Sequence, residues 1–334
     1  VKIDFEHRQF AHCESGVTAN LLSHHGFPCS EAMAFGIGAG LFFAYAPFIK
    51  INYLPLTTYR NVPGSIFAKA TKRLGIKIQK KKYRDPAAAE EELDRLLEAG
   101  HPVGAQTGVF WLPFFPPAYR FHFNGHNLVV IGKEGDDYLI SDPIFEETVR
   151  CPSVDLRKAR FARGALAPKG KIYYIEKMPE QVDLKKAVKS GINEVCRVML
   201  KTPMPLVGVR GIRFLSRQLA KWPDKLGEKK TLLHLGHVIR MQEEIGTGGG
   251  GFRFIYAAFL QEAAGVLEND KLMGLSQHCT DVGDLWREFA LISSRVCKGR
   301  VAVQDAFDDL AALLYQCAAG EEKLFKELRV AIAR

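Results

Sequence analysis

His12-Cys13-Glu14-Ser15-Gly16, running on through Val17 to His25 and closed by Gly26, is the stretch on which the fold turns. Val17, Leu21 and Leu22 recur at helical spacing, and Gly26 supplies the stop. Cys13 then falls in the first turn of the predicted helix. Unpaired N–H groups and the helix dipole favour a thiolate at that position. Cys13 is therefore a candidate nucleophile.

Working outward, Pro28-Cys29-Ser30-Glu31 reads as a turn and helix cap that opens an apolar segment through Met33, Phe35 and Ile37. The run Gly36-Ile37-Gly38-Ala39-Gly40 has the wrong spacing for a dinucleotide fingerprint, and a helix rather than a strand precedes it. Close backbone packing is the better expectation. Farther on, strands are predicted over 49–54, 76–80 and 101–106, and helices over 65–74 and 86–99, the last with Pro at its start and Gly100 at its end. The stretch 110–123, rich in Phe and Pro, fits neither element. Two β-rich runs over 127–132 and 138–141 are joined by a turn-prone loop, and a strand over 171–176 closes the sheet.

Beyond Pro179 the apolar spacing is helical throughout, with helices predicted over 184–200, 212–222, 229–245, 252–267, 285–296, 301–317 and 321–333. The expected organisation is an α+β domain over 1–178 followed by an all-helical domain over 179–334. The length of 334 residues suits two domains. Seven cysteines in no regular spacing argue against a disulfide framework or a zinc cluster. The net charge of +9 forms no arm or stripe, so neither nucleic acid nor membrane is an expected partner. A cytoplasmic location is expected, and a homo-oligomer stays open.

A cysteine nucleophile needs a base that also protonates the leaving group, and a third group to orient that base. The predicted hairpin supplies both, since His126 precedes one of its strands and Asp142 ends the other. Taken singly, each residue is ordinary: a buried cysteine behaves as a small hydrophobe, and Asp before Pro is a turn residue. Their order and context make the combination specific.

These residues resemble the papain-like cysteine peptidase fold, an antiparallel sheet packed on a Cys-bearing helix, and in particular the leader-peptidase domains of bacteriocin exporters. Those domains pair a Cys-led helix ending in Gly with a later His-x-x-Val-Val strand and an Asp-Pro strand end. The chain is more closely similar to the butirosin biosynthesis protein H family, through HCESG, SEAMAFGIGAGLFFAYAP, GHNLVVIG and SDP. The similarity continues into the helical domain through GTGGGGFRFIYAAFLQEAA. The resemblance implies a papain-like domain followed by a helical one, and an acyltransferase of secondary metabolism. On that pattern Cys13 takes an acyl group as a thioester, His126 shuttles the proton and Asp142 orients His126. The donor would be an acyl carrier protein or another acyl thioester, and the acceptor a small-molecule amine. No cofactor or metal is implied as resident; phosphopantetheine arrives on the donor.

Papain-like enzymes place an oxyanion-hole Gln six residues before the Cys, where this chain has His7. Gln9 is therefore the first candidate for that role, with the Cys13 backbone N–H, and His7 the second. His12, beside the nucleophile, is read either as tuning it or as simple packing. Trp111, Phe114, Tyr119 and His122 belong to a stretch that is either an acyl pocket, a lid over Cys13 or an ordinary apolar plug. Gly249, Gly250 and Arg253 open a predicted helix and suit the phosphate of the donor, unless the glycines are only a flexible joint. Two other functions compete: a papain-like peptidase or amidase using water as acceptor, and a non-catalytic binding module.

Overall fold

The computed structural model describes residues 1–51 and 53–333, apart from the side chain of Gln304. In chain order the elements are α1 (Cys13–His24), α2 (Glu31–Ile37), β1 (Leu41–Ile51), β2 (Leu54–Arg60), α3 (Ser65–Arg73), β3 (Lys77–Lys81), α4 (Pro86–Glu98), β4 (Val103–Thr107), β5 (His126–Glu134), β6 (Asp137–Ser141), β7 (Val149–Pro152), α5 (Ser153–Arg160) and β8 (Ile172–Lys177). Helices α6 (Leu184–Lys201), α7 (Gly208–Leu219), α8 (Trp222–Leu226), α9 (Glu228–Glu243), α10 (Arg253–Leu267), α11 (Lys271–Cys297) and α12 (Val303–Ile332) follow. The chain divides into two compact units, Val1–Ala34 with Val62–Asp183 and Phe35–Asn61 with Leu184–Arg334.

The first unit is built on a six-stranded sheet in the order β3-β8-β4-β5-β6-β7, every pair antiparallel. Alternation along β4 and β5 sends Val103, Ala105, Leu128 and Val130 into one core with Leu93, Leu96 and Leu97 of α4. Helix α4 starts where it does because the Asp85 carboxylate accepts from the N–H groups of Ala87 and Ala88, with Pro86 at its first position. Helix α1 lies against β5 and α3. A Cys-led helix against an antiparallel sheet is the papain-like α+β arrangement.

The second unit packs α10 on α11, α11 on α12 and α12 on α7. It is not wholly helical, because the β1–β2 hairpin belongs to it. The expected boundary, which put residues 35–61 in the first domain, is corrected accordingly. Of the strand predicted over 49–54, residues 49–51 are the end of β1, which begins at Leu41, Leu54 opens β2, and Asn52 lies outside the described residues. Residues 41–46 are apolar without a break and nearly all buried, so no alternation marks them as strand. The two helices predicted over 301–317 and 321–333 are one helix, α12. Gly320 lies inside it, between the two predicted ranges. A methyl group there would stand 2.8 Å from Cγ2 of Val282, so this glycine serves close packing of α12 on α11. Close packing likewise explains Gly36, whose Cβ would overlap the ring of Phe259. Neither β7 nor α5 was anticipated. Among the described residues no helix is long and apolar enough to cross a membrane.

Candidate active site

The β5–β6 hairpin brings the first residue of β5 and the residue after β6 to the same end of the sheet. There His126 donates through Nε2 to Asp142 Oδ2 over 2.6 Å. The other ring nitrogen, Nδ1, is left free of Asp142, and the Cys13 side chain acts on the imidazole to favour its charged form. Cys13 is 6% exposed, His126 4% and Asp142 0%. Burial pushes the His126 pKa down. The Asp142 charge and hydrogen bond, with Cys13 adding to them, outweigh burial and hold it up at about 10. His126 is therefore an imidazolium across the neutral range, set between two groups that carry or accept negative charge. A non-catalytic module with its histidine or aspartate turned away does not match this geometry.

Each residue around Cys13 helps to hold it. His12 is the N-cap of α1, its Nδ1 accepting from the Ser15 N–H at 3.3 Å. Glu31 of α2 accepts from the backbone N–H groups of Ala11 (3.0 Å) and His12 (2.7 Å) and from Ser15 Oγ (3.1 Å). Burial pushes the Glu31 carboxyl up, and these three bonds oppose it. Glu14, fully buried, accepts from the N–H of Ile66 at 2.7 Å and so caps α3, whose own N-cap, Gly64, brings no side chain. At Gly16 a methyl group would lie 2.7 Å from Cβ of Pro143. Only glycine lets the Cys helix come this close to the loop that carries Asp142.

That loop is fastened to the segment entering α1. Asp142 Oδ1 accepts from the Ile144 N–H at 3.1 Å, and the Phe10 N–H donates to the Pro143 carbonyl at 2.7 Å. His7 spans Ser141 Oγ (2.7 Å) and the Phe145 carbonyl (3.0 Å). Both His7 ring nitrogens are thereby used, so His7 is corrected from oxyanion donor to structural tie. Gln9 donates one amide N–H to the Ile144 carbonyl at 3.2 Å and keeps a second. The backbone N–H of Cys13 makes no hydrogen bond among the described residues.

The stretch 110–123 consists of two single 3₁₀ turns, Val109–Trp111 and Pro117–Tyr119, with irregular chain around them. Its contact with the imidazole is made by Phe115, which sequence reading passed over in favour of its neighbour Phe114. The Phe115 ring stands perpendicular to the His126 ring at 5.3 Å, and also packs on Phe145 at 4.9 Å. Phe114 forms a second row, against Phe115 and Phe145. Trp111 pairs with Phe110, with Lys158 over its ring, and His122 stacks on Phe110 at 4.2 Å, while Tyr119 is exposed. No hydrogen bond or ring contact joins these three to Cys13, His126 or Asp142 among the described residues.

In the second unit, Arg253 is 1% exposed, its Nε donating to Glu321 Oε1 at 2.8 Å and its guanidinium lying against Trp286. The Gly250 N–H donates to Glu243 Oε1 and that of Gly249 to Thr247 Oγ1. An anion-binding helix start needs free N–H groups and an accessible cation. Here a carboxylate of the chain and a buried ion pair already fill both roles. The expected phosphate site at Gly249, Gly250 and Arg253 is therefore corrected to a structural joint.

Residues 12–143 match the family described as butirosin biosynthesis protein H, N-terminal, and residues 154–328 match the domain of unknown function DUF4872. No curated protein matches the chain. Among solved structures, one described as a C39-like peptidase from Bacillus anthracis is similar at 17% identity and a TM-score of 0.37, over 54% of this chain and 100% of that one.

Proposed function

Because the chain belongs to the DUF4872 family and carries the butirosin biosynthesis protein H N-terminal domain ahead of it, we propose that it is a cysteine-dependent acyltransferase. It takes an acyl group from a pantetheine-type thioester, free or on an acyl carrier protein, and delivers it to a small-molecule amine. The observation that carries transfer over hydrolysis is the covering of the reacting groups: Cys13 and His126 are 6% and 4% exposed, with the Phe115 ring against the imidazole. A site closed to solvent disfavours water as acceptor.

The chemistry follows from the charges. The Cys13 thiolate attacks the thioester carbonyl, and the tetrahedral oxyanion is met by the Cys13 N–H and the second N–H of Gln9. The C–S bond to pantetheine breaks, His126 protonates the leaving thiolate, and the acyl group rests on Cys13. A neutral amine then attacks the new thioester. His126 takes its proton, and the Cys13 sulfur leaves the carbonyl, which returns both side chains to the state in which they began. Asp142 fixes the imidazole so that Nδ1 faces sulfur throughout.

Product analysis with an acyl-pantetheine donor, with and without amine acceptors, tests this reading. Amide is expected to form in preference to free acid when an amine is supplied. Free acid released at the same rate with and without amine would instead make the protein a hydrolase.

A further inference from the structure

Between Glu98 and Lys133 the sequence holds no Asp, Glu or Lys and a single Arg, Arg120, in the midst of the aromatic and proline-rich stretch. Its Nε donates to the Phe115 carbonyl at 2.8 Å. Phe115 is the residue whose ring rests on His126. The guanidinium is thus tied to the wall of the candidate site by one nitrogen. Its two terminal nitrogens make no hydrogen bond and lie near no carboxylate among the described residues. A half-buried guanidinium is a planar fork matched to phosphate and carboxylate, and anchoring Nε fixes the direction in which the fork opens.

We propose that Arg120 binds an anionic group of the substrate, phosphate or carboxylate, at the mouth of the Cys13–His126 site. The proposal rests on the acyl-transfer reading for which substrate brings that anion. Two sources share the chemistry: the phosphate of a phosphopantetheine donor, and a carboxylate on the amine acceptor. The rest of the stretch is uncharged and aromatic, so it receives the apolar parts of the same ligand while Arg120 supplies the single point of charge recognition. Arg120 replaces Gly249, Gly250 and Arg253 as the place where the donor's phosphate would be held.

Equilibrium binding to full-length Cys13→Ala protein tests this without requiring turnover, so failure of acyl transfer and failure of this proposal remain separable. The probes are 4′-phosphopantetheine against pantetheine, and N-acetyl-4-aminobutyrate against N-butylacetamide. In the presence of Arg120, one anionic probe of a pair is expected to bind at least about tenfold more tightly than its neutral partner. Arg120→Gln is expected to abolish that difference while leaving the neutral probe unchanged, and Arg120→Lys to retain part of it. Loss confined to phosphopantetheine assigns the anion to the donor, and loss confined to N-acetyl-4-aminobutyrate assigns it to the acceptor. Equal weakening of charged and neutral probes in Arg120→Gln would reduce Arg120 to a staple of the loop and overturn the proposal. So would anionic and neutral probes binding alike to protein that retains Arg120.

Discussion

His126 meets two opposing demands: burial removes water from its charge, and Asp142 and Cys13 restore the compensation. Asp142→Asn and Cys13→Ser each remove a group that raises the His126 pKa and leave the burial, so both are expected to bring it down from about 10. Titration of the imidazole by NMR checks this, and a midpoint still near 10 in Asp142→Asn would contradict the pairing. The sign for stability follows. A histidine raised from 6.5 to about 10 contributes fully below 6.5, and the contribution fades as pH rises through 10. In turnover Asp142→Asn should lose ~10²- to 10⁴-fold. The positions of Cys13, His126 and Asp142 at element ends were legible from periodicity and the hairpin, whereas grouping them as one set rested mostly on the family resemblance. Glu31 and Phe115 were not. Glu31 stands at an ordinary helix start and Phe115 in an apolar run, and only the tertiary fold brings them to α1 and to His126.

Helix α1 earns its place through its first turn, where His12, Glu14, Ser15 and Gly16 each meet a different neighbour: the helix start itself, α3, Glu31 and Pro143. Gly16→Ala would force a methyl into Pro143 and shift the Cys helix from the Asp142 loop. We expect a loss of ~1–3 kcal/mol in stability, seen as a lower Tm, together with altered alkylation of Cys13 by iodoacetamide. A variant matching the parent in both would show that α1 and the loop are not held at this contact. The hairpin β5–β6 was readable because polar turn residues separate two apolar runs. The strand β1 and the unbroken α12 were not, since a continuous apolar run hides its period and the small residues 318–320 between the two predicted helices carry none.

Across the whole molecule, the order of an α+β part and a helical part was visible from where strands cease to be predicted. The assignment of residues 35–61 to the second unit was not, because which unit a hairpin joins is decided by contacts distant in sequence. The same holds for the buried Arg253–Glu321 pair, which looked like an anion site while only the local Gly-rich run was in view. What unites the molecule functionally is the claim that an acyl group passes through Cys13. Incubating the protein briefly with an acyl-pantetheine thioester, quenching in acid and mapping peptides by mass spectrometry tests it most directly. The acyl mass is expected on the peptide holding Cys13, absent in Cys13→Ala and discharged when an amine is added before the quench. An unmodified Cys13 with several donors, in protein whose Cys13 still reacts with iodoacetamide, would contradict acyl transfer through this residue.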